Sequence, residues 1–188
     1  MKVNLVNENY TENYLDNLLK ARGVIDIKEY KNPSPICLND PLNLDNIKKG
    51  AVWLEEVINT SKSKILLVVD CDVDGFTSSA IIYQYIKAIN SDQNITYMLH
   101  EHKEHGLEDH IKHILDGGIN YDLVILPDSS SNDYKYHELL KEQGSRCLVL
   151  DHHEIDDEQP ISDNACIINN QLSQHYSNKD LTGAGVTW

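Results

Sequence analysis

The sequence predicts an α/β fold: a doubly wound, mainly parallel sheet with helices on both faces, preceded by a short helical lead-in. Continuous apolar runs rich in β-branched residues, such as residues 65–69 and 121–126, are typical of strands covered on both faces. Segments of about ten residues with helical spacing separate these runs. Strands that alternate with helices form parallel sheets, because right-handed crossovers return each strand to the same sheet. A chain of 188 residues is long enough to bury one such core.

The N-terminal part, residues 1–60, is predicted to be the helical lead-in. Its first helix is indicated by apolar residues at helical spacing over residues 14–19, and Gly23 is suited to end it. Residues 31–45 contain three of the five prolines and therefore mark an irregular connector. A second helix is predicted over residues 43–59, where apolar residues again recur with helical spacing.

Residues 61–188 are predicted to form the α/β domain. The helix after the first strand is expected to begin at Phe76, with Thr77 or Ser78 as its N-cap. The predicted elements are strands at 65–69, 95–99, 121–126, 147–150 and 165–168, and helices at 76–89, 107–115 and 134–143.

Composition restricts the possible partners. A formal net charge of −14 argues against a broad nucleic-acid-binding face, because such faces use lysine and arginine to neutralise phosphates. Any nucleic acid must therefore be held locally, and bound divalent cations would cancel part of the charge. The four cysteines form no CxxC pair, which argues against a zinc ribbon or a dithiol redox motif. The sequence has no apolar run typical of a signal peptide or membrane span, so we expect a cytoplasmic location and no membrane partner.

Carboxylates and imidazoles follow several of the predicted strands. The candidate ligands are Asp70, Asp72 and Asp74 after the first strand, Asp128 after the third, and Asp151, His152 and His153 after the fourth. The carboxyl ends of parallel strands meet at one edge of the sheet, where such folds place their sites. Crowded carboxylates repel one another unless cations are bound. Oxygen and nitrogen ligands suit Mn²⁺ or Mg²⁺, and two such ions sharing a carboxylate would catalyse phosphoester hydrolysis.

Two other site types fit the sequence poorly. The run from Asp70 to Gly75 also opens a calcium loop, but the twelfth position is Ile81 where an EF-hand requires glutamate. The serines from Ser129 to Ser131 lack the G-x-S-x-G pattern of a serine hydrolase.

The remaining histidines have two interpretations. His100, His102 and His105 lie in a polar segment, either as solvated side chains or, for His105 in particular, as a contact to a substrate phosphate. The other four are assigned to the surface, namely His110, His113, His137 and His175.

The order Asp-x-Asp-x-Asp-Gly, strand-end Asp, Asp-His-His resembles that of the DHH phosphoesterase superfamily. Within it, the chain is most similar to the RecJ family of single-strand-specific 5′-to-3′ DNA exonucleases, which act in DNA repair and recombination. The similarity extends beyond the metal motifs to most of the chain. It includes residues 18–24 and 30–33 in the lead-in, 104–107 before a helix, 165–170 at the last strand, and the Gly-x-Gly helix entry at 181–186.

The resemblance implies a role for each candidate residue. Asp72 and Asp74 would each hold one of two metal ions, usually Mn²⁺ and sometimes Mg²⁺, and Asp128 would bridge both. His152 would bind the second ion, and Asp70 would be a ligand or an acid behind the ligands. Asp151 and His153 would orient the site or contact the scissile phosphate, with Asp151 a possible further ligand. Asp128, His152 and His153 are thus the implied catalytic residues.

The chain departs from the family pattern at two places. The segment around Asp128 reads Pro-Asp-Ser-Ser-Ser, where RecJ-like chains have Asp-Asn-Gly, so we expect a different turn after the bridging carboxylate. The sequence also stops at Trp188, without the family's fourth metal-binding aspartate, its second, substrate-gripping domain or its DNA-binding extension. We therefore expect a fragment with an incomplete second metal site, weak DNA affinity and an exposed apolar patch where a C-terminal substrate-binding domain docks.

Three functions remain open from the sequence. The first is a RecJ-like exonuclease acting on single-stranded DNA, which the lead-in helices favour. The second is a hydrolase of small nucleotides, such as oligoribonucleotides, cyclic dinucleotides or 3′-phosphoadenosine phosphate, which the acidic charge favours. The third is a catalytically silent scaffold module in a replication or repair assembly, against which the retained ligands argue.

Overall fold

A computed structural model describes residues 13–99, 106–156 and 160–188, and divides the chain into compact units at 1–39 and 40–188. The first unit contains helices α1 (Tyr14–Ala21) and α2 (Ile27–Lys31), followed by a 3₁₀ turn at Pro35–Cys37. Helix α1 is the one predicted, and Gly23 follows it in the left-handed conformation with φ 85°. Helix α2 was not predicted; the Asp26 side chain caps it by accepting from the Glu29 amide.

The second unit is built on a five-stranded parallel sheet in the order β2-β1-β3-β4-β5. Its strands are β1 (Lys64–Val69), β2 (Asn94–Leu99), β3 (Leu123–Pro127), β4 (Arg146–Asp151) and β5 (Ala165–Asn169). Its helices are α3 (Ile47–Asn59), α4 (Val73–Ile89), α5 (Glu108–Asp116), α6 (Tyr134–Glu142) and α7 (Gly183–Thr187). The strand order reverses between β1 and β3, and this crevice is where such sheets bind ligands. Among the described helices, none has the length and apolarity needed to cross a membrane.

Both faces of the sheet are covered, as predicted. On one face, alternate residues such as Leu67 and Ile125 pack with side chains from α3, α4 and α7. On the other face, residues such as Leu66 and Val124 pack with α5 and α6. The central strands are therefore apolar on both sides, which explains their continuous apolar sequences. The predicted α/β fold is confirmed. Helix α3 belongs to the same compact unit as the sheet, whereas the expected lead-in boundary at residue 60 falls just after it.

Helix α4 begins earlier than the sequence indicated. It starts at Val73 rather than Phe76, and its N-cap is Asp72, whose carboxylate accepts a 2.8 Å hydrogen bond from the Gly75 amide. The prediction of Thr77 or Ser78 as N-cap was wrong, because both hydroxyls donate to backbone carbonyls one turn earlier. As a result, two of the candidate ligands lie in the cap and first turn of a helix.

An apolar groove of about 640 Å³ lies between α3, α4 and α7. Its walls include Leu54, Ile82 and Val186, and the exposed Trp188 lies at its rim. This groove has the character of the exposed apolar patch expected from the sequence. What binds there stays a prediction.

Two of the histidines assigned to the surface are buried instead. His137 is fully buried, and His110 is 7% exposed. His137 lies one turn before Leu140 on the face of α6 that packs on the sheet. Its position on the helix, rather than its polarity, therefore determines that it is buried. His113 and His175 are exposed, as predicted.

Burial of His137 predicts acid sensitivity. Burial lowers the pKa of His137 from 6.5 to about 4, so the folded protein keeps the ring neutral where the unfolded chain protonates it. Stability is therefore lost as the pH falls through the window from 6.5 to 4. Between pH 7.5 and 5, the free energy of unfolding should fall by about 2 kcal/mol less in His137→Leu than in wild type, as measured by urea unfolding. His113→Leu, on the exposed face of α5, is the control; parallel curves for wild type and His137→Leu would contradict the prediction.

Candidate metal centre

The candidate ligands meet at the carboxyl edge of the sheet, at the reversal of strand order. Asp70 follows β1, Asp128 follows β3, and the Asp128 amide donates to the Leu150 carbonyl of β4 at 2.8 Å. Among the residues that the structure describes, two groups of side chains bring their donor atoms within 4.8 Å of one another. They are Asp70, Asp72 and Asp128, and Asp128, His152 and His153. Asp128 belongs to both groups, so it is the centre of the arrangement.

Asp128 is a buried carboxylate with an unsatisfied oxygen among the described residues. It is 1% exposed, and its Oδ1 atom accepts no hydrogen bond within the described part of the chain. The nearest imidazole atom, His152 Nε2, lies 3.3 Å from Oδ1. Burial, followed by repulsion from Asp74 and Asp72, raises the pKa of Asp128 to about 8. A divalent cation would supply the missing positive charge, and these oxygen and nitrogen donors fit Mn²⁺ or Mg²⁺.

The Asp74 carboxylate is held by the first turn of α7. Its Oδ2 accepts from the Gly183 amide at 2.7 Å, and its Oδ1 accepts from the Ala184 amide at 2.9 Å. Burial raises the pKa of Asp74, but the hydrogen bonds from these two amides and from the Thr182 side chain, together with the charge of His152, outweigh burial and lower the pKa overall. Asp74 Oδ2 lies 3.7 Å from His152 Nε2. Asp74 therefore stays ionised and close to the imidazole, although it is in neither of the two groups described above.

Two glycines allow the backbone to approach the carboxylates closely. A Cβ atom on Gly75 would lie 2.5 Å from the Cβ of Asp70. A Cβ atom on Gly183 would lie 2.2 Å from Asp128 Oδ1. The glycine that ends the Asp-x-Asp-x-Asp-Gly motif and the first glycine of the Gly-x-Gly motif are thus both required by packing against candidate ligands.

Asp151 and His153 form a charged pair beside the centre. Asp151 Oδ1 lies 2.7 Å from His153 Nδ1, and its Oδ2 accepts from the Ser131 amide at 3.0 Å. Burial raises the pKa of Asp151, but the hydrogen bonds from His153 and Ser131 lower it to about 2. The bond to Asp151 in turn raises the pKa of His153 to about 9. His153 is therefore a partly exposed cation at neutral pH, suited to an anionic substrate.

The hydrogen bonds of Asp151 bear on its predicted role. Besides His153 Nδ1 and the Ser131 amide, its carboxylate accepts from the His152 and His153 amides at 2.7 and 3.2 Å. Asp151 is in neither donor group. Of the roles implied by the resemblance, namely orienting the site, contacting the scissile phosphate and binding metal, this arrangement favours the first, and the phosphate contact stays a prediction. The role of metal ligand also stays a prediction.

The turn after Asp128 adopts an unusual backbone. Asp128 has φ 64° and Ser130 has φ 76°, both in the left-handed region. Because Ser130 is not glycine, this conformation costs about 1–2 kcal/mol at that position. The turn that orients the Asp128 carboxylate therefore forms without glycine.

The segment leading to α5 is tied to α6. His105, the predicted phosphate contact, lies outside the described residues. Directly after it, Gly106 has φ 89°, and the Leu107 amide donates to Asp133 Oδ2 at 2.8 Å. Asp133 was not predicted as part of the site, because it belongs to no motif.

A polar residue at the end of β5 also belongs to this edge of the sheet and was not predicted. Asn169 is fully buried, and its amide nitrogen lies 3.0 Å from the His153 carbonyl oxygen. The available signal was its position, because it ends a strand at the same edge as the candidate ligands. The residue was noted only as part of a family segment.

Comparisons with known proteins agree with this geometry. Residues 64–187 match the family model described as the DHH family, N-terminal domain. YorK, a SPbeta prophage-derived protein of Bacillus subtilis named as a single-strand DNA-specific exonuclease, is 41% identical over 189 aligned residues. That alignment covers 100% of this chain and 31% of YorK. The single-stranded-DNA-specific exonuclease RecJ of Haemophilus influenzae is 30% identical, with 93% of this chain and 30% of RecJ covered.

Solved structures show the same fold. A crystal structure of exonuclease RecJ bound to manganese has a TM-score of 0.67 at 24% identity, covering 80% of this chain and 37% of that one. RecJ of Thermus thermophilus in complex with Mn²⁺ also has a TM-score of 0.67, at 23% identity, covering 90% and 23% of the two chains. This chain thus spans about a third of the curated relatives that it matches. With its motifs, sheet and matched residues in agreement, the chain belongs to the DHH family, and residues 64–187 form the N-terminal domain of that family.

Proposed function

We propose that this chain carries the metal-binding part of a Mn²⁺- or Mg²⁺-dependent phosphodiesterase that degrades single-stranded DNA from its 5′ end. The observation that carries the proposal is the buried Asp128 Oδ1, which accepts no hydrogen bond within the described residues, on a side chain that belongs to both groups of ligand atoms. Relatives named as single-strand-specific exonucleases, and the RecJ structures with manganese, support the reaction and the metal.

Each side chain has a role in this proposal. Asp72 and Asp74 would each hold one ion, Asp128 would be shared by both ions, and His152 would hold the second. Asp70, buried behind Asp72, supports the first position. Bound divalent ions supply an activated water and offset charge on the phosphate in the transition state.

The pair formed by Asp151 and His153 binds substrate in this proposal. His153 presents a positive charge to the phosphate while Asp151 fixes the orientation of its ring through the 2.7 Å contact. His105 remains a proposed second contact to phosphate. A cation at this position is favourable because the surrounding protein is acidic, and an anionic substrate otherwise meets repulsion.

A second candidate is the hydrolysis of small nucleotides by the same centre. The net charge of −14 supports it, because a long polyanion needs a basic track that this composition does not provide. In both candidates the ligands and the bridging carboxylate act in the same way, and they differ only in what lies beyond the scissile phosphate.

The experiment is a cleavage assay with Mn²⁺ on 5′-labelled single-stranded DNA and, in parallel, on dinucleotides and cyclic dinucleotides. At the high DNA and Mn²⁺ concentrations that weak DNA affinity and an incomplete second metal site require, we expect wild type to release labelled mononucleotide from DNA and Asp128→Ala to release none. Cleavage of small nucleotides alone would establish the second candidate instead. Equal release of label by wild type and Asp128→Ala would refute the catalytic assignment, and calorimetry in the same buffer reports whether Mn²⁺ is bound.

A further inference from the structure

We propose that Asn169 is a positioning residue for the metal centre, one that fixes the loop carrying Asp128 relative to the loop carrying His152 and His153. Asn169 is the last residue of β5 and is fully buried. Its amide nitrogen donates to Ser131 Oγ at 2.9 Å and to the His153 carbonyl at 3.0 Å. One side chain thereby joins the loop after β3 to the loop after β4.

These contacts close a ring of hydrogen bonds. The Ser131 amide donates to Asp151 Oδ2 at 3.0 Å, and Asp151 Oδ1 lies 2.7 Å from His153 Nδ1. The His153 carbonyl accepts from the Asn169 side-chain nitrogen, and this hydrogen bond closes the ring. Each member contacts its neighbours through buried or partly buried groups, so a displacement of one loop must strain the other. The separation between Asp128 and the two imidazoles is therefore set partly by Asn169.

The orientation of the Asn169 amide follows from its other end. Its Oδ1 accepts from the Gln171 backbone amide at 2.7 Å, and a backbone N–H can only donate. The nitrogen must therefore face the two loops. Gln171 adds a second support, since its side-chain nitrogen donates to the His152 carbonyl at 3.2 Å and to the Lys179 carbonyl at 2.8 Å. The segment after β5 thus supports the backbone of both histidines.

The neighbouring residue provides a matched control. Asn170 is also fully buried, but its amide nitrogen donates at 3.2 Å to the Asn178 carbonyl, within the segment that follows β5. Removing either side chain deletes a buried amide of the same size. Removal of Asn169 alone releases the two loops of the metal centre.

The test compares Asn169→Ala and Asn169→Asp with Asn170→Ala. The aspartate keeps the shape and the acceptor for the Gln171 amide, but it cannot donate to the His153 carbonyl. We expect both Asn169 variants to bind Mn²⁺ about 10- to 100-fold more weakly than wild type, as is typical when a group that orients metal ligands is lost. Asn170→Ala should stay within about threefold of wild type. Affinity is measured by electron paramagnetic resonance of free Mn²⁺, and the folded fraction by circular dichroism.

A second readout needs no metal. In the metal-free protein, the NMR signals of the His153 ring should move in both Asn169 variants and remain in place in Asn170→Ala. Unchanged ring signals and unchanged Mn²⁺ affinity would overturn the proposal. So would a loss of affinity that only follows a loss of folded protein, because that is the signature of a purely structural role.

This inference rests on the proposed function, because it assumes that the centre binds metal. The two fail in distinguishable ways. A wild-type protein that binds no Mn²⁺ contradicts the proposed function itself. A wild type that binds Mn²⁺ together with Asn169 variants that bind it equally well contradicts only the role of Asn169.

Discussion

Asp128→Asn should lose Mn²⁺ binding and reduce DNA cleavage by on the order of a thousandfold or more, while leaving the metal-free protein at least as stable as wild type. The asparagine keeps the size of the side chain and removes its charge. Asp128 is the residue shared by both groups of ligand atoms, so its loss affects every ion that the centre holds. Most substitutions of a buried polar residue destabilise a protein, which makes this combination of effects distinctive.

The stability effect of Asp128→Asn depends on pH in a defined direction. The pKa of Asp128 is raised from 3.8 to about 8, so the folded state retains a proton that the unfolded chain releases. This carboxyl group therefore destabilises the metal-free protein progressively as the pH rises from 3.8 to 8. Removing the charge should raise the melting temperature most at pH 8, measured by scanning calorimetry with chelator present. Mn²⁺ should stabilise wild type and not the variant.

The control for Asp128→Asn is Asp116→Asn, which removes the same charge from the exposed end of α5. It should leave Mn²⁺ affinity and the melting temperature close to those of wild type. If Asp128→Asn bound Mn²⁺ as tightly as Asp116→Asn does, the assignment of the bridging ligand would be wrong.

Gly183→Ala should weaken the metal centre by displacing helix α7. The added methyl would lie 2.2 Å from Asp128 Oδ1 and 2.6 Å from Asp128 Cβ, and this short, buried side chain has no room to withdraw. Helix α7 must then shift, and Asp74 would lose the two amides that hold it. We expect a loss of about 1–3 kcal/mol in stability and at least a tenfold loss in Mn²⁺ affinity.

Gly185→Ala provides the comparison for Gly183→Ala within the same motif. The three atoms nearest to a Cβ atom on Gly185 would all belong to the Leu181 side chain, and the closest would be a flexible methyl at 3.1 Å. Because alanine also favours helix, the variant should be close to neutral in stability and in Mn²⁺ affinity. Equal behaviour of the two variants in urea unfolding and calorimetric titration would contradict the packing described for Gly183.

The fold was predictable because its strands are buried on both faces. Leu66 and Leu67 point to opposite faces and both pack on helices, so β1 is a continuous apolar run that no exposed strand would tolerate. The clustering of Asp70, Asp128 and His152 was predictable for a related reason. Once the strands are parallel, their carboxyl ends share an edge.

Features that depend on distant parts of the chain were not predictable. The amides of Gly183 and Ala184 bind Asp74 across more than a hundred residues, and no local pattern encodes such a contact. The start of α4 was misjudged because Asp72 caps the helix, whereas we considered only the hydroxyl side chains. His137 was misplaced because its polarity was weighed above its position on a helix.

The same reasoning explains why Asn169 was overlooked. Its significance lies in two acceptors, on the loops after β3 and β4, that approach each other only in the folded sheet. A single asparagine at a strand end has many ordinary uses, so its type alone predicts nothing. Its burial and its two partners give it a specific role.

The most direct test of the account is a crystal of this protein grown with Mn²⁺ and measured at the manganese absorption edge. We predict an anomalous peak in contact with Asp128 Oδ1 and His152 Nε2, and no such peak in Asp128→Asn crystals grown in the same way. Absence of the peak from wild type, or its appearance only at sites away from Asp128, would contradict the central claim that this edge of the sheet is a metal centre.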